Sequence, residues 1–469
     1  MKNYKASILV LLIAAFFAAG WAARIASIAQ ERAAIRQFGA SPVRAPGVPI
    51  AATRLDSAAD IDLGPLEVML TVLRSVREHF VDPIKPSDEG RMAREALRAM
   101  LASLDDPNTR FLDPDQMKLV GEALNGQYHG IGAFLAIKKI KVGNIQEEHL
   151  VVITPIDNGP AAKAGLRPGD DIVAIDGRDV LPLDPFQRAS EVIKEERKKA
   201  VDKDVIRKHI ESETKRIEEG IPILKAERTL ISEDDKEFEL TVVRKGTPKP
   251  IKVRIKTQAF SVDPVSWKLI NNDRFACIRI SCFTDRTADE LEGAVRDLKS
   301  KGVKGVILDL RNTAAGSLET VLSAAKVFIP GRVFAVEHKS RNRKLPIRVE
   351  QCSEDRVWSG PLVVLVNSGT ARMAEVLAAA LKDNLSTKLV GESSYGDPSA
   401  VTLVELRDGS GITMTTGRLV PLRSPDIYGK GLSPDVPVAS DGTQDKQLNE
   451  AVELLQSLAA KTMQARAGK

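Results

Sequence analysis

From Leu63 onward, apolar residues recur at three- and four-residue steps. Leu66, Met69, Leu70, Leu73 and Val76 predict an amphipathic helix. A second helix is predicted over 92–104, with Leu97, Met100, Leu101 and Leu104 on one face and Asp105-Asp106-Pro107-Asn108 as its stop. A third, short one runs from Pro114 to Leu124 and ends near Gly126. Strand-like stretches follow at Phe238–Val243 and Ile251–Ile255. From Phe275 strands and helices alternate. Phe275–Phe283 reads as a strand, and Asp289–Lys301 as a helix whose Leu291, Val295 and Leu298 face inward. Val303–Leu310 is a continuous apolar run, the pattern of a strand buried on both faces. A helix over Leu318–Phe328, a strand at Leu362–Val366, a helix over Ala374–Leu381 and a short strand at Leu389-Val390 continue the series. Such alternation predicts an α/β core with its functional turns at strand ends.

Two stretches break these patterns. At the start, Lys2 and Lys5 precede an apolar run from Ala6 to Ala23, followed by Arg24. A basic start with such a run predicts export, as a signal anchor (favoured) or a cleaved signal peptide within 1–24. The chain would then sit on the membrane facing the periplasm or cell exterior, after a Pro-containing linker over 25–60. The second break is 183–234. Acidic and basic residues crowd Lys194 to Glu219, with a thin stripe of Ile206, Ile210, Ile217 and Ile221. A long, solvated, charge-laced helix is expected there, either a spacer or a docking helix for a partner.

Composition narrows the function. The chain has 469 residues, 43% hydrophobic and 28% charged, which excludes a disordered protein and a multi-span membrane protein. The net charge is only +5 and aromatics are 4%, so neither a basic stripe nor a base-stacking surface argues for nucleic acid. Cys277, Cys282 and Cys352 form no metal spacing, and the five histidines make no HExxH-type pair. No metal and no cofactor is expected.

Two glycine-bearing segments supply the first chemistry. Tyr128-His129-Gly130-Ile131-Gly132-Ala133-Phe134-Leu135 is a Gly-rich turn running into an apolar strand. Gly159-Pro160-Ala161-Ala162-Lys163-Ala164-Gly165-Leu166, then Arg167-Pro168-Gly169-Asp170-Asp171-Ile172-Val173-Ala174-Ile175-Asp176-Gly177, give a short Ala-rich helix, a turn and a strand. Together they resemble a PDZ domain. That resemblance makes Gly130, Ile131, Gly132, Ala133 and Phe134 candidate peptide-binding residues: glycines let backbone N–H groups converge on a carboxylate, and the strand can pair with an extended peptide.

Beyond residue 275 the motifs become more specific. Asp309-Leu310-Arg311-Asn312, the turn beginning at Asn367, Gly391-Glu392 and Gly429-Lys430-Gly431-Leu432-Ser433-Pro434-Asp435 resemble the carboxyl-terminal processing (tail-specific) serine peptidases. The resemblance implies a serine nucleophile, a lysine base, an assisting glutamine and an Asn-Pro-Gly-Gly-like oxyanion loop. Here Gly369-Thr370-Ala371-Arg372-Met373-Ala374-Glu375 puts Arg372 in the nucleophile position. Tyr395-Gly396-Asp397-Pro398-Ser399-Ala400-Val401 puts Asp397 in the base position and Val401 in the assisting one. The oxyanion loop reads Thr313-Ala314-Ala315-Gly316, with Ala315 and Gly316 in the donor positions. A guanidinium is always protonated and cannot attack a carbonyl. A cation at a helix N-terminus also needs a compensating anion, so an Arg372–Asp397 ion pair plugging the old site is expected. Ser368, Thr370, Ser393, Ser394 and Ser399, with Lys382 and Lys388, are the residues from which a displaced dyad would be drawn.

The expected fold class is multidomain α/β: an N-terminal helical region over 61–126, a PDZ-like domain over 127–258 interrupted by the insertion, a Clp protease/crotonase-like core over 259–440, and a C-terminal helix and tail over 441–469. The expected function is that of a pseudopeptidase binding protein C-termini, an active peptidase relative or a second copy of itself. An active serine endopeptidase with a displaced nucleophile stays open as an alternative, as does a scaffold or chaperone acting through the insertion.

Overall fold

The computed structural model describes residues 64–142, 145–198, 203–314, 316–330, 332–337, 348–351, 356–440 and 445–467. The apolar segment 1–24, the linker 25–60, Ala315 and Cys352 lie outside the described residues.

The N-terminal region comprises helices α1 (Gly64–His79) and α2 (Pro86–Ala102), strand β1 (Arg110–Leu112) and helix α3 (Pro114–Leu124). Asp113 starts α3: its carboxylate accepts from the Gln116 N–H, and the Gln116 side chain accepts from the Asp113 N–H. On α1 only Leu73 and Val76 of the apolar series are half-buried, and the rest of its stripe is exposed.

The next unit contains β2 (Gln127–Tyr128), β3 (Ala133–Val142), β4 (Ile145–Pro155), α4 (Pro160–Lys163), β5 (Asp171–Ile175) and β6 (Arg178–Leu181). Helices α5 (Phe186–Lys198) and α6 (Lys203–Glu219), strand β7 (Ile221–Pro222), helix α7 (Ile223–Leu230) and strands β8 (Glu237–Val243), β9 (Ile251–Lys256) and β10 (Phe260–Ser261) complete it. Its sheet runs β3-β4-β5-β6-β7, with β8 joining β5 to β9, so β3 is an edge strand. Ile131, Leu150, Ile172, Leu240 and Val242 form its core with Ile223, Ala226 and Leu230 of α7.

Two expectations change here. The charged insertion is two helices that pack on each other, not one long helix. And α7, read from sequence as part of the insertion, is the helix that closes the domain, because its Ile223, Ala226 and Leu230 fall on one buried face.

The hairpin meets β4 at a histidine. His149 Nδ1 lies 2.6 Å from Asp171 and Nε2 lies 4.0 Å from Glu147, with Arg188 of α5 opposing the ring's charge. The Asp171 hydrogen bond holds the His149 pKa above its ordinary value, against the effect of burial. Its stabilising contribution is therefore complete below the unfolded value of about 6.5, and is lost as pH rises through the higher folded value. Urea titrations at a series of pH values should show the unaltered chain losing stability over that window relative to His149→Gln. Parallel curves would remove the assignment.

The remaining unit begins with β11 (Val265–Ile270), β12 (Phe275–Ile280), α8 (Thr287–Ser300), β13 (Val306–Asp309), α9 (Leu318–Lys326), β14 (Arg332–Glu337) and β15 (Arg348–Gln351). It continues with β16 (Leu362–Val366), α10 (Met373–Leu385), β17 (Lys388–Gly391), β18 (Ser399–Glu405), β19 (Gly411–Val420), β20 (Val436–Pro437) and α11 (Lys446–Ala467). The main sheet has the order β11-β12-β13-β16-β17-β20 and is parallel from β12 onward. Every residue of β13 and β16 is buried, because α8, α9 and α10 cover one face and α11 the other. Cys277 and Cys282 fall in different apolar clusters. A second sheet, β1-β19-β14-β15 with β18 on β19, escaped the sequence pattern; it joins β1 of the N-terminal region to the core.

Candidate active site and peptide cleft

Strand β16 ends at Val366 and the chain turns sharply into α10 through Arg372, whose φ of 52° and ψ of −116° lie in a region that costs a non-glycine residue about 1–3 kcal/mol. Side chains of the turn hold that strain in place. Asn367 accepts from the N–H groups of Gly369 and Asn312 and donates to the Asn312 side chain at 2.8 Å. Thr370 Oγ1 donates to the Leu310 carbonyl at 2.8 Å, and the Ala371 N–H donates to the Thr313 carbonyl at 2.9 Å. A Cβ at Gly369 would approach Asn312 Oδ1 to 2.6 Å and Pro168 and Thr154 to 2.7 Å, so the elbow sits directly under the β4 side of the preceding unit. This strand–elbow–helix shape presents the side chain of residue 372 at the head of a helix, the place a nucleophile takes in hydrolases built on such an elbow.

The anion that balances Arg372 comes from two directions. Glu375, fully buried, accepts the Arg372 N–H at 3.0 Å, the Gly396 N–H at 2.6 Å, the Asp397 N–H at 2.9 Å and Ser394 Oγ at 2.5 Å. Burial raises the pKa of that carboxyl, and its four donors pull the other way. Asp397 lies beside the guanidinium, but Nε to Oδ2 is 3.8 Å, longer than a hydrogen bond. Asn108, from the N-terminal region, bridges the two: Arg372 Nη2 donates to Asn108 Oδ1 at 2.9 Å, and Asn108 Nδ2 donates to Asp397 Oδ2 at 3.1 Å. The expected plug therefore exists as a three-residue chain, not as a direct bidentate pair. Burial depresses the Arg372 pKa and Asp397 opposes that shift.

The residues offered by sequence as a displaced dyad do not assemble. Lys382 and Lys388 both contact Asp435, at 3.3 and 3.4 Å. Thr370 and Ser394 are committed to Leu310 and Glu375, and Ser368 and Ser393 are exposed without a lysine beside them among the described residues. Ser399 Oγ donates to Asp397 Oδ1 at 2.5 Å, a hydroxyl–carboxylate pair, but Ser399 is 4% exposed and enclosed from any substrate. Val401 is exposed on β18 and has no polar atom to offer. In the oxyanion loop, Ala314 is buried against Ala136, Ile153 and Ala371; Gly316 has φ +101° and packs so close to Phe283 that a Cβ would sit 2.5 Å from its Cβ. Ala315 lies outside the described residues.

From Asp397 a cleft of about 810 Å³ runs between β3 and α7, roofed by the N-terminal region. Ala133 and Phe134 line it, as the sequence suggested. Ile131 does not: its side chain is in the core, and its N–H donates to the Leu230 carbonyl at 2.8 Å. Nor do Gly130 and Gly132: both are buried, with φ of +85° and +70°, and neither lines the cleft. Arg110 of β1 pairs with Glu227 of α7 across the roof, and Arg279 of β12 pairs with Asp157 at 2.7 Å. Two cleft residues were missed by sequence reading, Asn108 and Lys138. Lys138, on β3, places Nζ 3.6 Å from the centroid of the Tyr395 ring. Asn108 is marked in the sequence only as part of the stop to the second helix, and Lys138 carries no local signal.

Glu122, His129 and Glu233 bring potential metal ligands within 4.8 Å of one another. These side chains are paired already: Lys118 lies 2.7 Å from Glu233 and 3.6 Å from Glu122, and His129 Nε2 lies 2.8 Å from Glu122.

Comparison with known proteins agrees with this geometry. Residues 274–438 match the model of peptidase family S41, and residues 151–203 match a PDZ domain. The chain is 30% identical over 366 residues to the carboxyl-terminal-processing protease of Synechocystis sp., covering 77% of this chain and 74% of that protein. It is 27% identical over 357 residues to the carboxy-terminal processing protease CtpA of Bacillus subtilis, covering 76% of this chain and 66% of the relative. The solved structure of a photosystem II D1 C-terminal processing protease superposes with a TM-score of 0.57 at 26% identity, covering 84% of this chain and 97% of the other. With its core and its PDZ domain both matched, the chain belongs to the carboxyl-terminal processing peptidases of family S41.

Proposed function

We propose that this chain is a pseudopeptidase of its family, exported and held at the membrane by residues 1–24, that binds peptides without cleaving them. The observation that carries this reading is the occupancy of the elbow: Arg372 linked through Asn108 to Asp397, with the hydroxyls of Thr370, Ser394 and Ser399 donating to Leu310, Glu375 and Asp397. Acyl transfer by a serine-type peptidase needs a hydroxyl nucleophile paired with a base, and none of the three residues Arg372, Asn108 and Asp397 carries a hydroxyl. The cleft runs between β3 and α7 beneath the N-terminal region, and β3 is the edge strand of its sheet, which fits an extended peptide added as a further strand.

The test is the affinity of the full chain for peptides ending in an apolar residue, read by fluorescence anisotropy. A free C-terminus should bind at least tenfold more tightly than the same peptide amidated, because a charged carboxylate facing backbone N–H groups is a charge-assisted contact. Substituting Gly132→Val, which forces a side chain into positive φ against Phe260 and Pro160, should abolish that difference. Equal affinity for both peptides would mean that the Gly130–Gly132 turn does not read a terminus.

A further inference from the structure

Around the former dyad the Glu375 acceptors are saturated, and two cationic donors are not. Asp397 takes Ser399 Oγ on one oxygen and Asn108 Nδ2 on the other. Glu375 takes four donors. Arg372 Nε, by contrast, is buried with no hydrogen-bond partner. Lys138 Nζ rests on the Tyr395 ring and makes neither a hydrogen bond nor an ion pair among the described residues. Burial works against the Lys138 charge, and Asp397 and Glu375 only partly offset this. Lys138 thus lines the inner end of the cleft with no hydrogen-bond acceptor, Arg372 lies behind the lining, and the two nearby carboxylates, Asp397 and Glu375, are engaged by other donors. A desolvated ammonium with no acceptor is costly, and the group that would complete it is an anion entering along the cleft.

Resting on the peptide-binding reading above, we infer that the inner end of the cleft is a carboxylate subsite in which Lys138, backed by Arg372, takes an acidic side chain of the bound peptide. Register gives the position of that side chain. A terminus seated at Ala133, the first residue of β3 and a lining residue of the cleft, leaves the peptide to run along β3 toward Lys138. Five strand residues at about 3.4 Å each are roughly 17 Å, so the acidic residue stands about five residues before the terminus. The subsite has taken over the place where chemistry would occur: Asn108 and Asp397 hold the guanidinium still, and Lys138 supplies the contact. Tyr395 fixes the ammonium through its ring face.

The experiment compares two peptides with the same free apolar terminus, carrying Glu or Gln at that position, on the full chain at low salt. The Glu peptide should bind about tenfold more tightly, and the advantage should shrink as salt is raised. In Lys138→Met the discrimination should fall below about twofold, and in Lys138→Arg it should persist, which separates charge recognition from a packing defect. Equal binding of the two peptides by the unaltered chain overturns the subsite while leaving peptide binding intact. Discrimination undiminished in Lys138→Met also overturns it. Failure of both peptides to bind, whatever their sequence, instead overturns the peptide-binding reading, and this subsite with it.

Discussion

Replacing Glu375 by alanine is expected to destabilise the protein by about 3–5 kcal/mol, the largest effect of any single substitution near the cleft. The side chain is fully buried and receives Ser394 Oγ and the N–H groups of Arg372, Gly396 and Asp397. Each of those donors left unmet costs about 1–3 kcal/mol, and only part of that is recovered by relaxation or an entering water. The same carboxylate ties the head of α10 to the 394–397 loop, so its loss should also free Asp397 and weaken the chain Arg372–Asn108–Asp397. Glu375→Gln keeps one acceptor oxygen but turns an NH2 group toward existing donors, and should fall between the two. Chemical denaturation of all three proteins measures this. A loss below about 1 kcal/mol for the alanine variant would show that the carboxylate is not the anchor of the elbow.

The second large expectation concerns chemistry. Restoring the family's groups by Arg372→Ser with Asp397→Lys should not restore proteolysis. Removing Asp397 leaves Asn108 and Ser399 without their acceptor, and the new lysine faces Lys138 across Tyr395, so its charge is repelled in a half-buried place. Val401 supplies no amide to orient it, and Ala314 lies buried beneath the PDZ sheet, not beside an incoming carbonyl. Each oxyanion donor that a serine at the elbow lacks costs about 10²–10³ in rate even when its base is in place. Digestion of a reduced, unfolded protein should therefore stay at background. Turnover well above background, lost on Ser→Ala at 372, would show that the dyad alone was missing.

How legible these features are depends on the distance over which each is determined. The buried strands β13 and β16 are visible as uninterrupted apolar runs because both their faces are covered. The elbow is visible because its motif is contiguous: Gly369 to Glu375 contain the turn, the strained residue and the buried carboxylate together. Asn108 and Lys138 are not, since each reaches the site from another unit, 264 residues from Arg372 in the case of Asn108. The second sheet escaped for the same reason, its β1 pairing with β19 across the whole chain. Helix α7 was hidden by the charged hairpin preceding it, which breaks the PDZ pattern and makes a short apolar face look like more insertion. Ile131 misled in a simpler way: a residue between two glycines reads as a turn donor, yet its amide is turned toward α7.

The central claim is that the elbow holds no nucleophile. Incubating the unaltered full chain with a fluorophosphonate, beside an active relative as positive control, and weighing the intact protein by mass spectrometry tests it most directly. The predicted result is an unmodified mass under conditions that fully label the control. A stoichiometric adduct, mapped to Thr370, Ser394 or Ser399 and lost when that residue is changed to alanine, would contradict it.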